Sequence, residues 1–142
     1  MAIEINSDLG SGQLYLSQRL SSRGKQDYPR LLSVATQAHD ECWLAAELRQ
    51  HGRINLTEER RKPKGGFTTA RVPVTAPETL AEGEFNRFYL RALCLRAIEE
   101  GTSELIIYRA KPVENPRPDW AAKIGTAIRT LCRCLRLRSW RP

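Results

Sequence analysis

Residues 83–111, GEFNRFYLRALCLRAIEEGTSELIIYRAK, constrain the fold more than any other stretch of this chain. Phe85, Phe88, Tyr89, Leu90, Leu93, Leu95 and Ile98 fall within about four helical turns, with Ala92, Cys94 and Ala97 between them. Gly101 follows Glu99 and Glu100, where a left-handed residue ends a helix. Leu105, Ile106, Ile107 and Tyr108 then read as a strand, bounded by Gly101 and Pro112. At about 100° per residue the apolar side chains of the helix point to nearly every side, the pattern of a buried core helix. Phe88 and Leu95 are therefore expected to be buried against residues 105–108. Arg87, Arg91 and Arg96 then need partners: Glu84 precedes Arg87 by three positions, and Glu99 and Glu100 follow Arg96 within a turn.

The rest of the chain is assigned around this unit. With 142 residues, 41% apolar and 27% charged, it has enough material for one domain with a real core. No apolar run approaches the roughly 18 residues of a membrane span. The first residues, MAIEINSDLGSG, lack the basic and apolar regions of a secretory signal. The expected location is the cytoplasm, or a particle assembled there. Cys42, Cys94, Cys132 and Cys134 lie in helical patterns and read as reduced thiols.

Residues 1–26 are glycine- and serine-rich around Leu14, Leu16 and Leu20, and read as loosely ordered: a strand or a single helical turn. Asp27 and Pro29 suit the start of a helix reaching about Gln50, with Gly52 as its stop. Its stripe of Leu31, Ala35, Ala38, Cys42 and Ala45 is rich in small residues, which permits close packing. Trp43 lies off that stripe near Leu32 and His39. Residues 53–56 form a weak strand candidate, and residues 57–66, TEERRKPKGG, carry turn chemistry. Residues 67–75 alternate as a half-buried strand that Pro73 confines to an edge or ends. Pairing of 53–56 with 67–75 makes a hairpin with Arg60, Arg61, Lys62 and Lys64 at its tip. Residues 76–82 read as a connector. Pro112, Pro116 and Pro118 make residues 112–118 a stiff linker.

Charge placement is the main functional signal. Residues 122–142 contain six basic residues and no acid, so they carry most of the net charge of +7. Read as a helix over 119–142, they place Ile124, Ile128, Leu131 and Leu135 within roughly 60° of one another and Arg129, Arg133 and Arg136 opposite. Arg138, Trp140 and Arg141 follow. Guanidinium groups suit bidentate phosphate contacts and an indole suits stacking. The same helix also fits an anionic membrane surface, a protein contact, or a plain solvated face. The tip at 60–64 has flexible glycines and basic side chains but lacks the Gly-x4-Gly-Lys-Ser/Thr spacing of a P-loop.

Other chemistry finds little support. His39 and Cys42 are one turn apart, but Cys132 and Cys134 diverge by roughly 160° on a helix, and no paired CxxC occurs. His39 and His51 are the only histidines, and no serine or cysteine sits in a nucleophile elbow. No metal, no cofactor and no catalysis are expected.

The expected fold class is α+β: a 27–111 core with a short sheet packed by two helices, and a basic C-terminal helix on a proline-rich arm. The expected function is non-catalytic nucleic-acid binding or packaging through sequence-nonspecific phosphate contacts. Arg129, Arg133, Arg136, Arg138, Trp140, Arg141, Arg60, Arg61, Lys62 and Lys64 would make those contacts. The alternative is a structural assembly or adaptor subunit, for instance of a virion, with a second copy of the chain among its candidate partners. It would dock on a protein partner through the proline arm and Ile124, Ile128, Leu131 and Leu135.

Overall fold

The computed structural model describes residues 1–63, 65–109, 114–115 and 118–129, and they form a small α+β fold. The chain divides into two compact units, Met1–Tyr89 and Leu90–Pro142.

The first unit begins with helix α1, Ala2–Gly10, where the sequence suggested a loose segment. Nine residues are too few for an isolated helix in water, so tertiary packing must hold this one. Ile5 supplies it: 1% exposed, it belongs to the same core as Tyr28, Leu32, Leu44 and Phe88. Helix α2, Ser22–Ala38, starts five residues before Asp27 because Ser21 is its cap, accepting from the Gly24 amide at 3.0 Å. Pro29 therefore lies inside the helix, where it cannot donate to the Lys25 carbonyl. The single long helix expected to reach Gln50 is broken at His39 and Asp40. Asp40 caps a separate helix α3, Glu41–Arg49, by accepting from the Trp43 amide at 2.8 Å. His39 stacks on Trp43 across that break, with centroids 4.3 Å apart.

Leu31, Leu32 and Ala35 of α2 and Leu44, Ala45 and Leu48 of α3 bury the stripes of both helices in one core. Gly24 allows a close approach at the start of α2: a Cβ there would lie 2.1 Å from the Arg53 carbonyl oxygen. Leu20 pairs with Ile54 in an isolated bridge and the Asn55 amide donates to the Arg19 carbonyl, so the 53–56 segment turns mainly to the N-terminal chain, and it meets residues 67–75 at Leu56, whose carbonyl accepts from the Val72 amide.

The hairpin forms one step further along. Strand β1, Thr57–Arg61, pairs antiparallel with β2, Phe67–Arg71, and converts half of the expected loop into ladder. TEERR has weak β propensity, which hid it; the turn sets the register. Pro63 occupies the second turn position, the Gly65 amide donates to the Lys62 carbonyl, and Gly65 and Gly66 take φ of 91° and 80°. As Pro73 foretold, β2 ends before it.

Helix α4, Ala76–Glu99, absorbs the expected connector and stops at Gly101, whose φ is 73°. The Gly101 amide donates to the Ile98 carbonyl and the Thr102 amide to the Ala97 carbonyl, the paired bonds of a Schellman stop. Phe88 is fully buried, but in the helical core of the first unit. Leu95 is half-buried, and Tyr89, Leu90 and Ile98 are exposed. Charged residues take up part of the buried side: Glu84, Arg87 and Arg91 are all under 9% exposed.

In the second unit, strand β3, Glu104–Ile106, pairs antiparallel with β4, Ala127–Arg129. This corrects the helix expected over 119–142 as far as the described residues go. Helix α5 covers only Pro118–Ala121, and the chain then turns. Gly125, at φ 81°, leaves helical space and donates to the Ile107 carbonyl, and β-branched Thr126 leads into the strand, in which Ile128 is β-branched too.

Candidate functional site

Two kinds of charged group occupy the first unit. One kind is buried or paired within the helical body. Arg53, 5% exposed, donates through Nε to Asp27 at 2.8 Å and through Nη1 to the Glu47 carboxylate at 2.9 Å and the Glu47 carbonyl at 2.6 Å. It ties the loop after α3 to α2 beside the Gly24 contact. The Arg53 hydrogen bond holds the Asp27 carboxyl below its ordinary range. Burial works against the Arg53 charge, but bonds to Asp27 and Glu47 outweigh it and raise its pKa.

Arg87 of α4 lies 2.7 Å from Glu84 and 3.8 Å from Asp8 of α1, with its guanidinium 4.6 Å above the Phe88 ring. All four residues are buried. Glu84, three positions back, is the partner the sequence offered; Asp8 could not be foreseen from a segment read as loose. Arg96 pairs with Glu100 at 2.8 Å, also as expected. Arg49 of α3 pairs with Glu78 of α4. Burial pushes the Tyr28 hydroxyl pKa well above its ordinary value, and that hydroxyl finds no hydrogen-bond partner among the described residues.

The other kind sits on the β1–β2 ribbon. Every strand residue is exposed except Glu58 and Ala70, which face each other and are half-buried. Side chains alternate along a strand. One face therefore holds Glu58, Ala70, Arg60, Thr68 and, at the tip, Lys62. The outer face holds Thr57, Arg71, Glu59, Thr69, Arg61 and Phe67. Glu58 accepts from Arg19 at 2.5 Å and from Arg60 at 2.6 Å. These bonds, first the one from Arg19, lower its pKa. Arg19 thereby anchors the inner face, since a two-stranded ribbon is marginal on its own. Arg61, Lys62 and Arg71 are exposed and, among the described residues, enter no ion pair or side-chain hydrogen bond.

The expected site residues thus have different fates. Arg60, Arg61 and Lys62 come together at the exposed end of the ribbon, with Arg60 committed in part to Glu58. Arg129 is exposed on β4 directly opposite Glu104, an acid that the acid-free segment did not reveal. Ile128 is half-buried opposite Leu105, while Ile124 lies 41% exposed in the turn, so the two do not share a helix face. Lys64, Leu131, Arg133, Leu135, Arg136, Arg138, Trp140 and Arg141 lie outside the described residues. Sequence reasoning placed Phe67 and Arg71 in a hairpin strand, as the structure does, but did not count them among the site residues. Once the turn at 62–66 fixes the register, Phe67 falls opposite Arg61, and that register was the missing signal.

Among the described residues no group of three His, Cys, Asp or Glu side chains is placed to hold a metal ion. No helix among them is long and apolar enough to cross a membrane. Cys42 is exposed and Cys94 buried, both as free thiols. Compared with known proteins, the chain matches no family model, no curated protein and no solved structure.

Proposed function

We propose that this protein is a non-catalytic nucleic-acid-binding or packaging protein that contacts phosphates through the β1–β2 ribbon. The observation that carries the reading is the exposed ribbon itself, on which Arg61, Lys62 and Arg71 stand in water and, among the described residues, enter no ion pair, with Glu59 the one acid sharing the outer face of Arg61 and Arg71. Cations that stabilise nothing in the fold are available to release counterions from a phosphate backbone. A two-stranded ribbon is also narrow enough to enter a nucleic-acid groove. The cationic sequence at 122–142 adds further phosphate contacts in this reading, through Arg129, Arg133, Arg136, Arg138 and Arg141. Nothing in it requires base reading, and the expected setting is the cytoplasm or a particle assembled there.

The test is direct. Labelled DNA and RNA are titrated with the full chain at several salt concentrations. The proposal expects binding at low salt that weakens by about 0.7–0.9 logarithmic units per phosphate contact for each tenfold rise in salt. No binding at low salt would reject it.

A second reading, a structural assembly or adaptor subunit, is favoured by the apolar exposure of the second unit. Leu90, Ile98, Ile106 and Tyr108 are 38–69% exposed there. Apolar docking survives high salt, so an oligomer that persists on a sizing column at high salt would support this reading over phosphate binding.

A further inference from the structure

Phe67 is 68% exposed on the outer face of the ribbon, which has no use for it as core. An aromatic side chain can bury roughly 150–250 Å², and leaving that area in water gains the fold nothing. Its setting is specific. The Lys62 amide bonds to the Gly66 carbonyl and the Val72 amide to the Leu56 carbonyl. Hydrogen-bonded pairs therefore fall at the even positions of β1, and Arg61 with Phe67 is a non-hydrogen-bonded pair. Cα atoms in such pairs lie about 4.5 Å apart, with their side chains closer than in the other kind. A planar ring and a guanidinium thus emerge side by side from the same face, next to the tip that carries Lys62.

We infer that this outer face binds unpaired nucleotides, with Phe67 as a platform on which one base stacks and Arg61 on the adjoining phosphate. The inference rests on the nucleic-acid reading above and narrows it to single-stranded substrate. A duplex offers phosphates but keeps the faces of its internal bases covered by their neighbours. An exposed ring therefore gains little from a duplex and much from a strand whose bases are free. Arg71 lies four residues from Phe67 on the same strand and face, roughly 14 Å away at strand rise, within reach of a neighbouring phosphate. Glu59 lies between them on that face. Its carboxylate repels phosphate from the middle of the face and leaves that place to a sugar or a base edge. Phosphates then sit at the tip and at the base of the ribbon, with the stacked nucleotide against Phe67.

The experiment compares a fluorescein-labelled 15-nucleotide single strand with its duplex, at low salt, using the full chain and two variants. The wild type should favour the single strand. Phe67→Ala should weaken single-strand binding about 5- to 150-fold, the range for one lost stacking contact. Duplex binding and melting temperature should stay unchanged, because the ring supports no packing. Phe67→Trp should retain affinity, and the single strand should quench its fluorescence beyond the quenching of Trp43, Trp120 and Trp140 measured in the wild type. Wild-type preference for duplex would overturn the inference. So would single-strand binding unaffected by Phe67→Ala, and in either case phosphate binding itself survives. Should Phe67→Ala fail to fold, a bound Phe67→Trp quenched no more than the wild type overturns it alone. A wild type that binds neither probe rejects the nucleic-acid reading and this inference together.

Discussion

In the helical body Arg53 is almost fully buried and shared between Asp27 and Glu47, while on the ribbon Arg61, Lys62 and Arg71 stand in water with no acid opposite them. The same residue types serve different ends. In the body Arg53, Arg87 and Arg49 join segments distant in sequence: the 53 loop to α2, α1 to α4, α3 to α4. Among the described residues of the ribbon, only Glu58 and Arg60 enter ion pairs, Glu58 with both Arg60 and Arg19, and Arg61, Lys62 and Arg71 can be removed without leaving a buried partner. Removing a body cation should therefore cost stability, and removing a ribbon cation should cost binding.

The largest expected effect is at Arg87. Replacing it with methionine takes the cation away from buried Glu84 and Asp8, and should cost about 3–5 kcal/mol in denaturant unfolding. A loss under about 1 kcal/mol would mean that these buried charges do not depend on Arg87. Next comes Gly24→Ala. Its Cβ would meet the Arg53 carbonyl oxygen, so α2 or the 53 loop must shift, at a cost of about 1–3 kcal/mol. A Gly24→Ala variant that melts like the wild type would show the approach to be looser than the structure has it.

Tyr28 predicts a change of the opposite sign. Tyr28→Phe removes a buried hydroxyl that has no partner among the described residues, and should raise stability by about 1 kcal/mol. A loss of stability would reveal a hydrogen bond to that hydroxyl.

Acid titration sharpens the contrast further. The Asp27 and Glu58 carboxyls are both held below their ordinary pKa, so each favours the folded state while ionised. Their contribution is present above pH ~4, the unfolded carboxylate range, and is lost as pH falls through the lower folded values. The melting temperature of the wild type should drop across that window, and Asp27→Asn should flatten the drop. An unchanged acid limb would disconnect Asp27 from Arg53.

The parts of this fold that were legible in sequence were those set by local chemistry. Gly101 stops α4 because a positive φ is needed there, and Pro73 ends β2 because it has no amide hydrogen to give. Phe88 was readable as core from its neighbours. What was not legible depended on distant contacts. Ile5 shows no long periodic pattern, so α1 could be found only from the core it completes. Thr57–Arg61 has the composition of a loop and becomes a strand because Phe67–Arg71 lies beside it. The long helix read over 27–50 divides because Asp40 can cap, and its apolar stripe alone could not reveal this. At the candidate site, Arg60, Arg61 and Lys62 were visible as a basic cluster. Pairing Phe67 with Arg61 required the register, and Arg129 looked uncompensated until β4 placed it opposite Glu104.

The central claim, that ribbon cations serve binding and body cations serve the fold, is tested most directly by one triple variant. Arg61, Lys62 and Arg71 are replaced together with glutamine, and the protein is followed by thermal unfolding and by salt-dependent titration against labelled single-stranded nucleic acid. The account predicts stability within about 0.5 kcal/mol of the wild type, as for surface sites away from packed contacts. It also predicts weaker binding, with a salt slope shallower by about 2 units at roughly 0.7 per lost contact on a single strand. A folded variant that binds with unchanged affinity and slope, or one that unfolds, would contradict it.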